Sequence, residues 1–243
     1  MVAIFFKEIN NFFGSLIGYI VIGVFLIFSG LVMWVLNSIS VFDFKYATME
    51  SFFNLAPVLF TFLIPAITMR SFSEENQQKT LELLFTKPIS DSRLILGKYL
   101  ANLVLVLIAI LPTIIYYISI YQLGAPKGNI DGGAVFGSYI GLIFLAGLYT
   151  AIGLYSSSIT NNQVISFIFS AVLIIIIQWG FYFISRLPVF WGVWDDTIQK
   201  FGVDYHFNSI SKGLVDSRDI LYFLSVIVVF LLLTYYDIKT KKY

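Results

Sequence analysis

At 243 residues, 58% of them hydrophobic and only 12% charged, the chain departs from the roughly one-quarter charged composition of water-soluble domains. Its mean hydropathy of +0.87 excludes a single aqueous core. Fifteen Lys and Arg against fourteen Asp and Glu leave no overall field to attract nucleic acid, the absence of cysteine rules out disulfides and thiolate metal sites, and the lone histidine, His206, rules out a multi-histidine centre within one chain.

A membrane-crossing helix needs about 20 apolar residues, because the hydrocarbon core is about 30 Å thick and each helical residue rises about 1.5 Å. Gaps between ionisable residues predict six such helices, at 14–37, 50–69, 98–121, 134–156, 164–185 and 219–237. The expected fold is therefore an all-α integral membrane protein with one transmembrane domain over 1–243. The first apolar run exceeds the 7–15 residues usual for a signal peptide, and no small-residue cleavage site follows it, so it is expected to be retained. Pro57, Pro65 and Pro112 fall inside spans, where each removes a backbone donor and favours a bend.

Between spans two and three, residues 70–98 begin polar, through Ser73, Glu74, Glu75, Asn76, Gln77 and Gln78, and then place Leu81, Leu84 and Phe85 on one helical face. Glu75 and Lys79 stand at i, i+4, a spacing that supports a helix. Pro88 ends the segment, and Ser90 or Asp91 can cap the helix that enters span three. The polar side mixes Glu74, Glu75 and Glu82 with Lys79. A helix resting on lipid usually carries a strongly basic face, so a protein partner fits better.

The polar run Ser156, Ser157, Ser158, Ile159, Thr160, Asn161, Asn162, Gln163 supplies a turn between spans four and five. Residues 186–218 follow span five, and their Phe190, Trp191, Trp194, Phe201, Tyr205 and Phe207 suit the headgroup depth favoured by aromatic rings with a polar edge. That segment reads either as an interfacial loop or helix, or as a re-entrant piece that dips into the membrane. Six spans put both termini on one side, with the loops after spans two and four. That side holds Lys7, Arg70, Lys79, Lys87, Arg93, Lys98, Lys239, Lys241 and Lys242, against Lys45, Lys127, Arg186, Lys200, Lys212 and Arg218 on the other. The positive-inside rule places the richer side, with both termini, in the cytoplasm.

The run from Glu74 to Thr86, followed by Lys87, Pro88, Ile89 and Ser90 and then Leu94, Gly97 and Lys98, resembles the ABC-2 type transporter permease pattern. His206 to Thr234, with Phe207, Ile210, Gly213, Asp216, Arg218 and Asp219, is similar to the segment before the last span in that family. The form it resembles most is the GldF-like permease subunit of gliding-motility-associated ABC transporters. The resemblance implies a permease in a bacterial inner membrane, paired with a second permease chain, identical or related, and served by two copies of a separate ABC ATPase subunit. It also implies that the segment between spans two and three is a coupling helix, touching the ATPase through Glu74, Glu75, Lys79, Thr80, Glu82 and Leu83. The N-terminal Phe5, Ile9 and Phe12, with Ile4, Lys7, Glu8 and Phe13, would form an elbow helix at the membrane surface.

No phosphate-cradling G-x-x-x-x-G-K-[ST] occurs, so hydrolysis is expected on the partner and no catalytic, cofactor or metal residues are assigned. Glu74 and Glu75 are paired like the glutamates of intramembrane CAAX proteases, but that chemistry needs histidines or an asparagine on neighbouring spans, and His206 is expected on the opposite side. An ion-driven carrier would place an acid or base within the membrane, and the predicted spans carry none between their ends. The alternatives are a non-transporting scaffold of a motility or secretion complex and, less well matched to these spans, an ion-gradient-driven carrier. Gly14 with Gly18, and Gly137 with Gly141, have G-x-x-x-G spacing, which serves either packing within one chain or a seam between two permeases.

Overall fold

The computed structural model describes residues 1–36, 40–44, 46–82, 90–190, 192, 194–213 and 216–242, all of them helix, turn or irregular chain without strand. An amphipathic helix α1 (Val2–Phe13) leads into α2 (Leu16–Trp34), and α3 (Val41–Phe44) precedes α4 (Glu50–Thr68). A short α5 (Ser73–Gln77) follows. Next come α6 (Asp91–Ile110) and α7 (Ile114–Leu123), joined by a 3-10 turn at Leu111–Thr113, then α8 (Gly132–Ile159) and α9 (Gln163–Ser185). The short α10 (Asp195–Gln199) and α11 (Val203–Ser211) lead to α12 (Ser217–Thr240).

Six helical segments are long and apolar enough to cross a membrane, Leu16–Trp34, Glu50–Gln77, Asp91–Leu123, Gly132–Ile159, Gln163–Ser185 and Ser217–Thr240, one for each span expected from the charge gaps. Side-chain caps fix several starts: Asp131 accepts from the Gly133 and Ala134 amides at 2.9 and 3.1 Å, and Asn162 accepts from Val164 at 2.8 Å. Asp216 does the same for Arg218 at 2.9 Å. Each cap satisfies amides that have no partner inside the helix, worth about 1 kcal/mol. Pro112 lies in the 3-10 turn that interrupts the third span, as expected where the ring has no N–H to give and crowds the preceding turn. Pro57 and Pro65 stay inside α4.

α8 is the hub, packed on α4, α6, α9, α11 and α12. Its small residues Ala146, Gly147, Ala151 and Gly153 let those helices come close, which matters in a bilayer where tight packing substitutes for the hydrophobic drive. Leu142, Leu145, Tyr149 and Ile152 are fully enclosed, with Phe52, Phe60 and Ile64 of α4 across from them. By contrast α2, α9 and α12 turn rows of Ile, Val, Leu and Phe outward. Three of the four glycines in the G-x-x-x-G pairs, Gly18, Gly137 and Gly141, are used for close packing within the chain. A Cβ at Gly137 would sit 3.0 Å from Cα of Gly213, one at Gly141 would meet Ile210, and one at Gly18 would collide with Phe12.

Candidate coupling site

Where α1, the end of α4, α5 and the start of α6 converge, a cluster of charges is enclosed. Lys98 sits two turns into α6, because that helix begins at Asp91, ahead of the predicted span boundary. It is only 1% exposed, so it is not the water-facing anchor that its place beside a span suggests. Its Nζ donates to Glu8 Oε1 at 2.7 Å and to the Ser71 carbonyl at 2.5 Å, and lies 3.1 Å from Glu75 Oε2. Lys7 donates to the other Glu75 oxygen at 2.9 Å. Asn102, one turn on, donates to Ser71 Oγ at 2.7 Å, and the ring of Phe72 lies 5.0 Å from the Lys98 ammonium. Burial pulls the Lys7 ammonium down, but its hydrogen bond to Glu75 and the charges of Glu75, Glu8 and Glu74 outweigh that and hold it above the ordinary lysine value. A charge as deep as Lys98 persists only when its partners are this close.

α5 is gripped on its other side by the serine run. Ser157 Oγ accepts from the amides of Phe72 and Ser73 at 2.9 and 3.0 Å and donates to the Met69 carbonyl at 3.0 Å. Asn76 donates to the carbonyls of Ser158 and Thr160 at 3.0 and 3.1 Å. Ser156, Ser157 and Ser158 thus belong to the last turn of α8, the turn itself being 160–162, and Ser157 and Ser158 with the Thr160 carbonyl form a socket for α5, whereas the Ser156 hydroxyl bonds back to the Ile152 carbonyl. The chain's other end reaches the same place: Lys241 donates to the Ser158 carbonyl, and Lys242 pairs with Asp91 at 3.1 Å.

Of the residues expected to meet an ATPase, Glu75 is buried and faces inward, and it pairs with Lys7 and Lys98 instead of Lys79. Glu74 and Thr80 are half-buried, while Lys79 and Glu82 are exposed. Lys79 has φ of 55°, a left-handed turn that ends α5, so Glu74 and Glu82 do not share one continuous helix. Leu81 and Glu82 are helical again, and Leu83, with Leu84 and Phe85, lies outside the described residues. Phe5, Ile9 and Phe12 are half-buried along α1, which packs on α6 through Ile4 against Gly97.

At the opposite end a second polar network escaped notice in the sequence. Tyr149 of α8 donates to Gln178 Oε1 at 2.9 Å, Gln178 Nε2 reaches Asp204 Oδ1 at 3.4 Å, and Asn208 donates to Asp204 Oδ2 at 3.0 Å. Burial pushes the Asp204 carboxyl above its ordinary value, against the opposing hydrogen bonds from Gln178 and Asn208. His206 Nδ1 lies 2.7 Å from Asp219 Oδ1 and its Nε2 is 2.9 Å from the Lys200 carbonyl, with the ring stacked on Tyr222 at 3.9 Å. A carbonyl can only accept, so the contact with Lys200 suits a hydrogen on Nε2. These contacts, with Val203, Phe207 and Ile210 buried, seat α11 among α8, α9 and α12. Trp194, Phe201 and Tyr205 stay exposed, and Trp191 lies outside the described residues.

A family model described as ABC-2 family transporter protein matches residues 3–187, which takes in α1 to α9, the coupling-site cluster and five of the six spans. No curated protein matches the chain. With the match extending over more than half of its length, the chain belongs to the ABC-2 transporter family.

Proposed function

We propose that this chain is the membrane-spanning subunit of an ATP-driven exporter, with hydrolysis on a separate ABC ATPase that docks beside α5. One observation carries the reading: α5 has two faces with different jobs. Inward, Glu75 is tied to Lys7 of α1 and Lys98 of α6, and through Lys98 to Glu8, while Asn76 and the Phe72 and Ser73 amides are tied to the end of α8. Outward, Gln77 at its end and Gln78, Lys79 and Glu82 just beyond it are exposed and mixed in charge, a surface suited to a protein more than to lipid. A push on the outer face would therefore reach the N-terminal helix, the third span and the central fourth span together, through bonds short enough to transmit a rigid-body shift.

In this arrangement the exposed Lys79 and Glu82 carry the contact with the ATPase, Glu74 and Thr80 line the cavity behind them, and Glu75 positions α5 from within. The end bearing both termini then faces the cytoplasm, α1 is an elbow at the inner membrane surface, and two such chains, identical or related, meet two ATPase copies. Purified with its ATPase, the chain should support nucleotide hydrolysis that falls several-fold on Glu82→Lys while the amount of folded protein is unchanged. Equal hydrolysis by Lys79→Glu, Glu82→Lys and the wild type would remove the α5 segment as the docking element. The finer likeness to gliding-motility permeases is tested by the composition of the complex taken from native membranes.

A further inference from the structure

Beside the buried charges lies a partly open cavity of about 470 Å³, within the roughly 300–1,000 Å³ range of small-molecule sites. It sits where α2 begins and α4 ends, which is headgroup depth on whichever side of the membrane that end occupies. One wall is apolar, made by Phe12, Ile17, Ala66, Ile67 and Leu105. The other is polar, and its charges are unequal in their needs. Lys7, Glu8, Glu75 and Lys98 close upon one another as described, but Arg70 and Glu74 make no ion pair among the described residues. Arg70 Nε is buried without a hydrogen-bond partner, and a guanidinium cannot shed its charge to escape that cost. Among the described residues Glu74 is met by the Gln78 side-chain amide, at a long 3.5 Å.

We propose that this cavity binds a zwitterionic phospholipid, its phosphate on Arg70, its ammonium on Glu74, and its acyl chains leaving past Ile17 into the bilayer. Arg70, with its buried and unpartnered Nε, and Glu74, held by one long amide contact, match a phosphoethanolamine headgroup in this amphipathic cavity better than an anionic one, which would meet three carboxylates and find Arg70 as the one cation outside an ion pair among the described lining residues. The cavity holds a headgroup and the first carbons of the tails, and Ile17, 38% exposed, provides the way out for the rest. The lipid would brace α1 against α4 whether or not the protein transports anything.

Native mass spectrometry of the delipidated full-length chain tests this, using dioleoylphosphatidylethanolamine, dioleoylphosphatidylglycerol, dioleoylglycerol and glycerophosphoethanolamine as separate probes. One phosphatidylethanolamine should bind saturably, about tenfold tighter than phosphatidylglycerol, with little binding of the other two. Arg70→Gln should weaken both phospholipids, and Glu74→Gln should erase the preference between them. Ala66→Trp keeps every charge but fills the cavity, and should abolish binding even if Arg70→Gln fails to fold. Phosphatidylethanolamine binding that survives Ala66→Trp, or a preference that survives Glu74→Gln, overturns the proposal. Equal binding of glycerophosphoethanolamine overturns it too, because the site would then take a soluble ligand.

Discussion

Lys98 is held by two carboxylates and a carbonyl in a place that water does not reach. Truncating one partner of such a group leaves the others charged and unmatched, typically at about 3–5 kcal/mol. Lys98→Met should therefore lower the midpoint of thermal unfolding strongly, and adding Glu75→Gln should recover part of the loss because one stranded carboxylate is removed. Strictly additive losses would mean that Glu75 and Lys98 are not coupled. Asp204 is the corresponding residue at the other end. Its carboxyl titrates above the ordinary range because burial penalises its charge, so the folded state binds that proton more tightly than the unfolded one. Its contribution to stability is complete below the unfolded value and is lost as pH rises through the folded one. Asp204→Asn should flatten that decline in a melting-temperature profile across the acid range, while an unchanged profile would assign the dependence to other groups.

Among the elements, the spans were legible and the joints were not. The charge gaps located all six apolar helices because a bilayer excludes ionisable side chains along a fixed length, and the cost of breaking that rule leaves a plain trace. The socket formed by Ser157 and Ser158 lies in a run that reads as a turn, since serine favours turns and also satisfies helical carbonyls and the sequence does not say which. In the same way Glu75 and Lys79 have the spacing of a helical pair, yet Glu75 is taken by two lysines 68 and 23 positions away in sequence, contacts that no local pattern announces. Gln178 was hidden by sitting in a span without charges. The role of Ser157 can be measured by hydrogen exchange. Ser157→Ala removes the acceptor for the Phe72 and Ser73 amides, a loss of about 1–3 kcal/mol, and protection at those amides should fall at least tenfold. Unchanged protection would show that α5 is held by something else.

For the whole molecule, the packing divides labour between two ends of one bundle. At the end with both termini, α1, α5, α6, the last turn of α8 and the C-terminal lysines are bonded into one body. At the other, α11 is seated by Tyr149, Gln178, Asp204 and the His206 pair. α8 runs between them as the common element, so a shift imposed at α5 has a direct route to α11 without a specialised pathway of side chains. That route matters only if an ATPase grips the outer face of α5. Because the chain contains no cysteine, Lys79→Cys would introduce its sole thiol on that face, and a short bifunctional reagent applied to the complex reads the contact directly. The expected result is a covalent adduct with the ATPase subunit whose yield changes between nucleotide-free and ATP-trapped states; a thiol that reacts freely in both states, with no adduct to any ATPase, would contradict coupling through α5.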